Sequence, residues 1–145
     1  MLPDLPILLV EDNNAVRSVF ARHLTAEGYS LVIAATAVEA IRLIEHDRQR
    51  FALAVVDFVL PAPGVAPVIE ALRHTMSPLR VLLMSALPEN IVRRSPLVAA
   101  LQQEPRFCFM GKPFSLASFS RSVEELLESD DPTIEVATGE WPIRP

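Results

Sequence analysis

Five short, almost wholly apolar runs recur along this chain, each ending at a polar side chain or small turn and each followed by a helix-like pattern. They are Ile7-Leu8-Leu9-Val10, Leu31-Val32-Ile33-Ala34, Phe51 to Val56, Val81 to Met84 and Phe107 to Met110. Runs this short with no polar alternation read as strands covered on both faces. Asn13 or Asn14 caps a first helix with Val16, Val19, Phe20 and Leu24 on one face, stopping near Gly28. Thr36-Ala37-Val38-Glu39 reads as a capping box opening a second helix with Ala40, Ile41 and Ile44. A third, from about Pro67 to His74, turns Val68, Ile69 and Leu72 inward. Ser115 caps the last, with Leu116, Phe119, Val123, Leu126 and Leu127 on one face. Between the fourth and fifth strands a helix starts at Pro88, and Ser95-Pro96 either interrupts it or begins a new one, with serine as cap and proline at the first position. Strands alternating with helices predict an α/β fold: a doubly wound, five-stranded parallel sheet with helices on both faces. In such sheets ligands bind outside the carboxyl ends of the strands.

Composition narrows the function classes. A chain of 145 residues, half of them hydrophobic, fits one domain. No apolar stretch is long enough to cross a bilayer, and Met1-Leu2-Pro3-Asp4 lacks the basic start and apolar run of a secretory signal. Cys108 is the only cysteine, which excludes an internal disulfide and a cysteine-cluster zinc site, and fits a reducing cytoplasmic setting. His23, His46 and His74 are scattered without ligand spacing and read as ordinary helix residues. The net charge of −5 gathers toward the C-terminal end, at Glu128, Asp130, Asp131, Glu135 and Glu140 against Arg144. The nearly neutral remainder carries no basic stripe, so direct nucleic-acid binding is not expected. Helical periodicity stops beyond Ser129. The chain therefore divides into a body, residues 1–128, and an acidic tail, residues 129–145, that reads as disordered.

The informative polar residues stand at the strand ends. They are Glu11-Asp12 after the first run, Asp57 after the third, Ser85 after the fourth and Lys112 after the fifth. A parallel sheet gathers all five side chains at one edge. Three carboxylates in a small volume raise one another's pKa, and a hard divalent cation such as magnesium, which favours oxygen ligands, relieves the repulsion. Lys112 is the only lysine beside twelve arginines, and its compact ammonium can sit as a point charge beside a carboxylate or phosphoryl group. Singly, each residue has a plainer reading. Acids before a helix serve as caps, and a serine or a Lys-Pro dipeptide is uninformative. Asp57 is harder to place otherwise, because an ionised side chain after Leu53-Ala54-Val55-Val56 needs a partner or a metal. Their joint placement at successive strand ends is the specific signal.

Four segments, Val10-Glu11-Asp12-Asn13, Val56-Asp57-Phe58-Val59-Leu60-Pro61, Met84-Ser85-Ala86 and Lys112-Pro113-Phe114, resemble the receiver domain of two-component response regulators, in order and over about residues 5–128. The resemblance implies strand order 2-1-3-4-5, with Asp57 as phosphoacceptor from a histidine kinase or a histidine phosphotransfer protein. It implies a Mg2+ ion held by Asp12, Asp57 and the Val59 backbone carbonyl, with Glu11 acting largely through the ion's water shell. Lys112 would pair with Asp57 and then with a phosphoryl oxygen, and Ser85 would hydrogen-bond another. Movement of Ser85 would be read out by Phe109, a residue that would serve equally as a plain core aromatic. The Lys112-Pro113 bond would be cis. A downstream protein partner would use the face of the fourth helix, fifth strand and fifth helix. The chain would be a phosphoryl acceptor, at most weakly self-dephosphorylating, rather than an enzyme, and would not enter the membrane.

The pattern departs from the family in two places. The loop after Asp57 is one residue shorter than usual and holds Pro61 and Pro63, and Val59 and Leu87 put apolar groups beside the site where polar ones are common. Slow loss of the phosphoryl group is the expectation. The span from Ser85 to Lys112 is several residues longer than usual, which reads either as an unusual partner surface or homodimer contact or as a plain loop insertion. Two rivals stand beside this reading: a pseudo-receiver that binds partners without phosphorylation, and the receiver piece of a larger hybrid histidine kinase. A flavodoxin is disfavoured because Glu11-Asp12 would repel a flavin phosphate. A dehalogenase-type phosphatase would want a second aspartate where Val59 stands.

Overall fold

A computed structural model describes residues 5–128; the acidic tail, residues 129–145, lies outside the described residues. Five strands, β1 (Ile7–Val10), β2 (Leu31–Ala34), β3 (Leu53–Asp57), β4 (Arg80–Ser85) and β5 (Arg106–Gly111), form one sheet in the order β2-β1-β3-β4-β5, every neighbouring pair parallel. The doubly wound arrangement is thus as the sequence predicts. The helices are α1 (Asn14–Ala26), α2 (Ala37–Ile41, continuing as a π turn over Arg42–His46), α3 (Ala66–Arg73), α4 (Glu89–Val92), α5 (Pro96–Leu101) and α6 (Leu116–Glu128). Alternate strand residues face opposite ways. Ile7, Leu9, Leu53, Val55, Leu82, Met84, Cys108 and Met110 pack with Phe20 of α1 and Phe119 of α6, while Leu8, Val10, Ala54, Val56, Val81, Leu83, Phe107 and Phe109 pack under α2, α3, α4 and α5.

The helix boundaries follow local chemistry. Asn13, not Asn14, caps α1, its Oδ1 accepting from Val16 N at 2.9 Å. Gly28 ends the same helix at φ +96°, a left-handed turn that L side chains resist. Thr36 Oγ1 accepts from Glu39 N at 3.0 Å, and Glu39 Oε1 reaches back to Ala35 N at 2.9 Å, one residue earlier than a standard capping box. Ser115 Oγ accepts from Ser118 N at 3.0 Å at the start of α6. The open question after β4 resolves into two helices: Arg94 and Ser95 close the first turn, and Ser95 Oγ then accepts from Leu97 N and Val98 N at 3.2 and 3.4 Å to cap α5, with Pro96 at its first position. Ser95→Ala should therefore cost about 1 kcal/mol, measurable as a lower urea midpoint at unchanged slope.

Three expectations need correction. β2 is only half-buried, with Ile33 at 42% exposed, because an outer strand has a neighbour on one side alone. Val19 of α1, expected inward, is 51% exposed. The helix turns it past the edge of the stripe that Phe20 and Leu24 occupy. β4 and β5 begin one residue early, at Arg80 and Arg106, which are buried and paired in register. Apolar patterning ends a strand at the first charge, whereas the backbone ladder does not. His23 lies within α1, as expected, and also links helices: its Nε2 meets Ser120 Oγ, which also donates to Glu27 at 2.9 Å, tying α1 to α6.

A candidate phosphoacceptor site at the strand ends

The strand register builds the site. Val10 pairs with Val56, so Glu11 leaves β1 beside Asp57, the last residue of β3. Asp57 pairs with Met84, one residue before Ser85, and Ser85 pairs with Gly111, one residue before Lys112. Parallel strands with these offsets bring four chain segments to one edge. The backbone stitches them together there: Phe58 N donates to Met84 O at 2.6 Å and Lys112 N to Ser85 O at 2.7 Å.

Lys112 sits at the centre. Its Nζ donates to Glu11 Oε1 and to Asp57 Oδ2, both at 2.9 Å, across 101 and 55 residues of sequence. The other Asp57 oxygen, Oδ1, accepts from the Val59 amide at 2.8 Å, and the other Glu11 oxygen accepts from Asn13 N at 3.1 Å. Glu11 and Asp57 are buried, at 1% and 6% exposed, while Asp12 lies open to solvent at the rim. Burial pushes the Glu11 carboxyl upward, its bonds to Lys112 and Asn13 oppose that, and the Asp57 carboxylate adds to the rise. For Lys112 burial pulls downward, but the bonds to Asp57 and Glu11 outweigh it, so the ammonium is held above its usual value. The Lys112-Pro113 peptide is cis, as expected.

All the anticipated side chains of the acidic pit are together. Carboxylate oxygens of Glu11, Asp12 and Asp57 lie within 4.8 Å of one another. That spacing and an all-oxygen donor set, part buried and part open, suit a hard cation such as Mg2+, which keeps several waters. Ser85 is fully buried, its Oγ accepting from Leu87 N at 3.0 Å. Phe109 is buried at 1% on the adjacent strand. Alternation puts Ser85 on the same face as Leu83, and Leu83 pairs with Phe109, so hydroxyl and ring share one side of the sheet. Val59 and Leu87, 51% and 38% exposed, form an apolar rim. One contributor escaped sequence reasoning: Arg17 Nη1 donates to Glu11 O at 2.9 Å and clasps Asn14. Its place one turn into α1 points it back at the strand end, a signal available from helical spacing. Beside Lys112 lies a groove of about 380 Å3 walled by Val16, Val19, Phe20, Phe114 and Leu116.

Comparison with known proteins agrees with this geometry. No family model matches the chain. The sensor kinase CckA of Brucella abortus (strain 2308) is 33% identical over 125 residues, which are 86% of this chain and 13% of the kinase. The crystal structure of the receiver domain from hybrid histidine kinase CckA superposes with a TM-score of 0.67 at 27% identity, over 85% of this chain and 99% of that domain. The chain belongs to the receiver domains of two-component systems. The receiver domain of the sensor histidine kinase PA1611 from Pseudomonas aeruginosa PAO1, solved with magnesium coordinated in its active-site cleft, shares the fold at a TM-score of 0.73 and 24% identity, over 86% of this chain and 98% of that one. This receiver spans only about an eighth of the curated kinase it matches. Among its described residues no helix is long and apolar enough to cross a membrane.

Proposed function

We propose that this receiver is a phosphorylation-switched signalling module whose acceptor is Asp57. The observation that carries the reading is the bridge from Lys112 to Asp57 and Glu11 over a cluster of three carboxylates. An Asp57 oxygen attacks the phosphorus of a phosphohistidine on a histidine kinase or phosphotransfer protein. The P–N bond breaks, the imidazole leaves, and Asp57 becomes an acyl phosphate. The protein's part is positioning and charge stabilisation. The Val59 amide and Lys112 each hold one Asp57 oxygen in the resting site, and Lys112 then turns to a phosphoryl oxygen. Ser85 gives up its bond from Leu87 N to donate to another, and Phe109 follows on the same sheet face. Asp12, Asp57 and the Val59 carbonyl would hold Mg2+, with Glu11 behind its waters. When bound, the ion offsets the carboxylate charge and offers a position to a phosphoryl oxygen. The groove beside Lys112 gives the donor an apolar surface next to the acceptor. The output is altered partner binding, not turnover of a substrate, and the setting is the cytoplasm.

Incubation with magnesium and acetyl phosphate or phosphoramidate, followed by intact-mass measurement, tests the reading. One phosphoryl gain that chelation of magnesium prevents supports it. No gain from either donor would favour a phosphorylation-independent interaction module. The apolar rim adds a prediction about lifetime. Neither Val59 nor Leu87 has a side-chain group that could orient an attacking water, so the acyl phosphate should persist. Val59→Asn should shorten its half-life several-fold, followed by loss of the added mass with time; an unchanged half-life would count against that role.

A further inference from the structure

A second cavity lies at the opposite edge of the sheet, where β3 and β4 begin, far along the strands from Asp57. It measures about 720 Å3 and is formed by the turn after α2 and the turn after α3. This size falls within the range of small-ligand sites. Its lining is cationic: Arg48, Arg50 and Arg73 face it with a single carboxylate, Glu45, in the wall. Arg73 is engaged by Glu104, which holds its guanidinium in place. Among the described residues Arg48 and Arg50 have no carboxylate within ion-pair distance, so two forked donors stand uncompensated at one opening. Thr75 and Ser77 add hydroxyls, and Ile44 and Met76, both buried, give an apolar floor.

Arg48 carries an independent signal. Its φ is +54°, the left-handed region, and it is the only non-glycine residue among those described with a positive φ. The turn follows a π-helical ending in which Asp47 N bonds to Arg42 O and Gln49 N to Leu43 O, each at 2.9 Å. Glycine or asparagine is the easy choice at such a helix end. An arginine held there instead, with its neighbour Arg50, projects from the wall of a basic cavity.

We propose that this cavity is a binding site for a phosphorylated small molecule of nucleotide size. Its phosphoryl groups would meet the guanidiniums of Arg48 and Arg50, whose planar forks match phosphate oxygens. Ser77 would donate to the remaining oxygens, Thr75 would join it on giving up its 3.5 Å bond to Leu72 O, and the non-polar part would rest on Ile44 and Met76. The site is separate from the phosphoacceptor and does not depend on it.

The test is calorimetric titration of the receiver with ATP in the absence of magnesium, beside adenosine and inorganic pyrophosphate. ATP should bind more tightly than pyrophosphate, and adenosine should give no signal. The double variant Arg48→Gly/Arg50→Ala should weaken ATP by about tenfold or more, the loss expected for a charge-assisted contact. Glycine accepts the positive φ, so this variant should stay folded, checked by its thermal midpoint and by the same phosphoryl gain from acetyl phosphate as the parent. Arg50→Ala alone serves as the second variant and should show a smaller loss in the same direction. No binding at millimolar ATP, binding unchanged in both variants, or adenosine binding as tightly as ATP would each overturn the proposal.

Discussion

Replacing Asp57 with asparagine is expected to leave a folded protein that gains no phosphoryl group from acetyl phosphate or phosphoramidate. The two side chains are nearly the same size, and the amide oxygen can still accept from the Val59 amide, as Asp57 Oδ1 does at 2.8 Å. Lys112 keeps its bond to Glu11, so its part-buried ammonium is not stranded. What is lost is chemical. An amide oxygen is a far poorer nucleophile than a carboxylate, and one of three charges leaves the acidic cluster. Mass spectrometry after incubation with magnesium reads the result directly. A phosphoryl gain of the same size in Asp57→Asn would mean that the acceptor lies elsewhere and would remove the basis of the proposed function. Thermal unfolding of the variant, run in parallel, separates this loss from a collapse of the fold.

Phe119→Ala is the substitution expected to cost most in stability, about 3–5 kcal/mol. Whole domains are stable by only about 5–15 kcal/mol, so the variant should show a much lower denaturant midpoint. Phe119 is fully buried on α6 and lies against Phe20 of α1 at a ring-centroid distance of 4.8 Å. Phe114 completes the cluster, 5.8 Å from Phe119 and stacked on Phe20 at 5.6 Å. Three rings from three segments leave little freedom to close over a hole, and the cavity term is correspondingly large. The cluster also bears on the site. Phe114 stands two residues after Lys112, so its packing holds the turn that delivers the ammonium to Asp57. Phe119→Ala should thus slow phosphoryl uptake as well as lower stability. A stability change under 1 kcal/mol by urea titration would contradict this account of the packing.

Much of this was legible along the chain because the physics is local. Short apolar runs mark strands buried on both faces, and Thr36, Ser95 and Ser115 announce helix starts through side-chain oxygens that reach the next turn. The site was legible for a related reason. In a parallel sheet all strands point one way, so polar residues at successive strand ends, Glu11, Asp57, Ser85 and Lys112, must share an edge. The misreadings share a cause too. Val19 fits the helical period yet lies outside, and Ile33 belongs to an apolar strand yet stands on the sheet's rim. Periodicity describes an element's own symmetry, while exposure depends on which neighbours arrive. Arg80 and Arg106 fail in the opposite direction, charged residues inside strands that apolar patterning starts one position later.

The residue order by itself determined the alternation of strands and helices, their caps, and the set of acids, hydroxyl and ammonium at one end of the sheet, since each rests on spacing within a few residues. Only the tertiary structure decided that Lys112 touches both Glu11 and Asp57, and that Arg48 and Arg50 share a cavity with Thr75 and Ser77. Those contacts join residues far apart along the chain. Their distances follow from strand register and from how each turn comes to rest on the core, which no local pattern encodes.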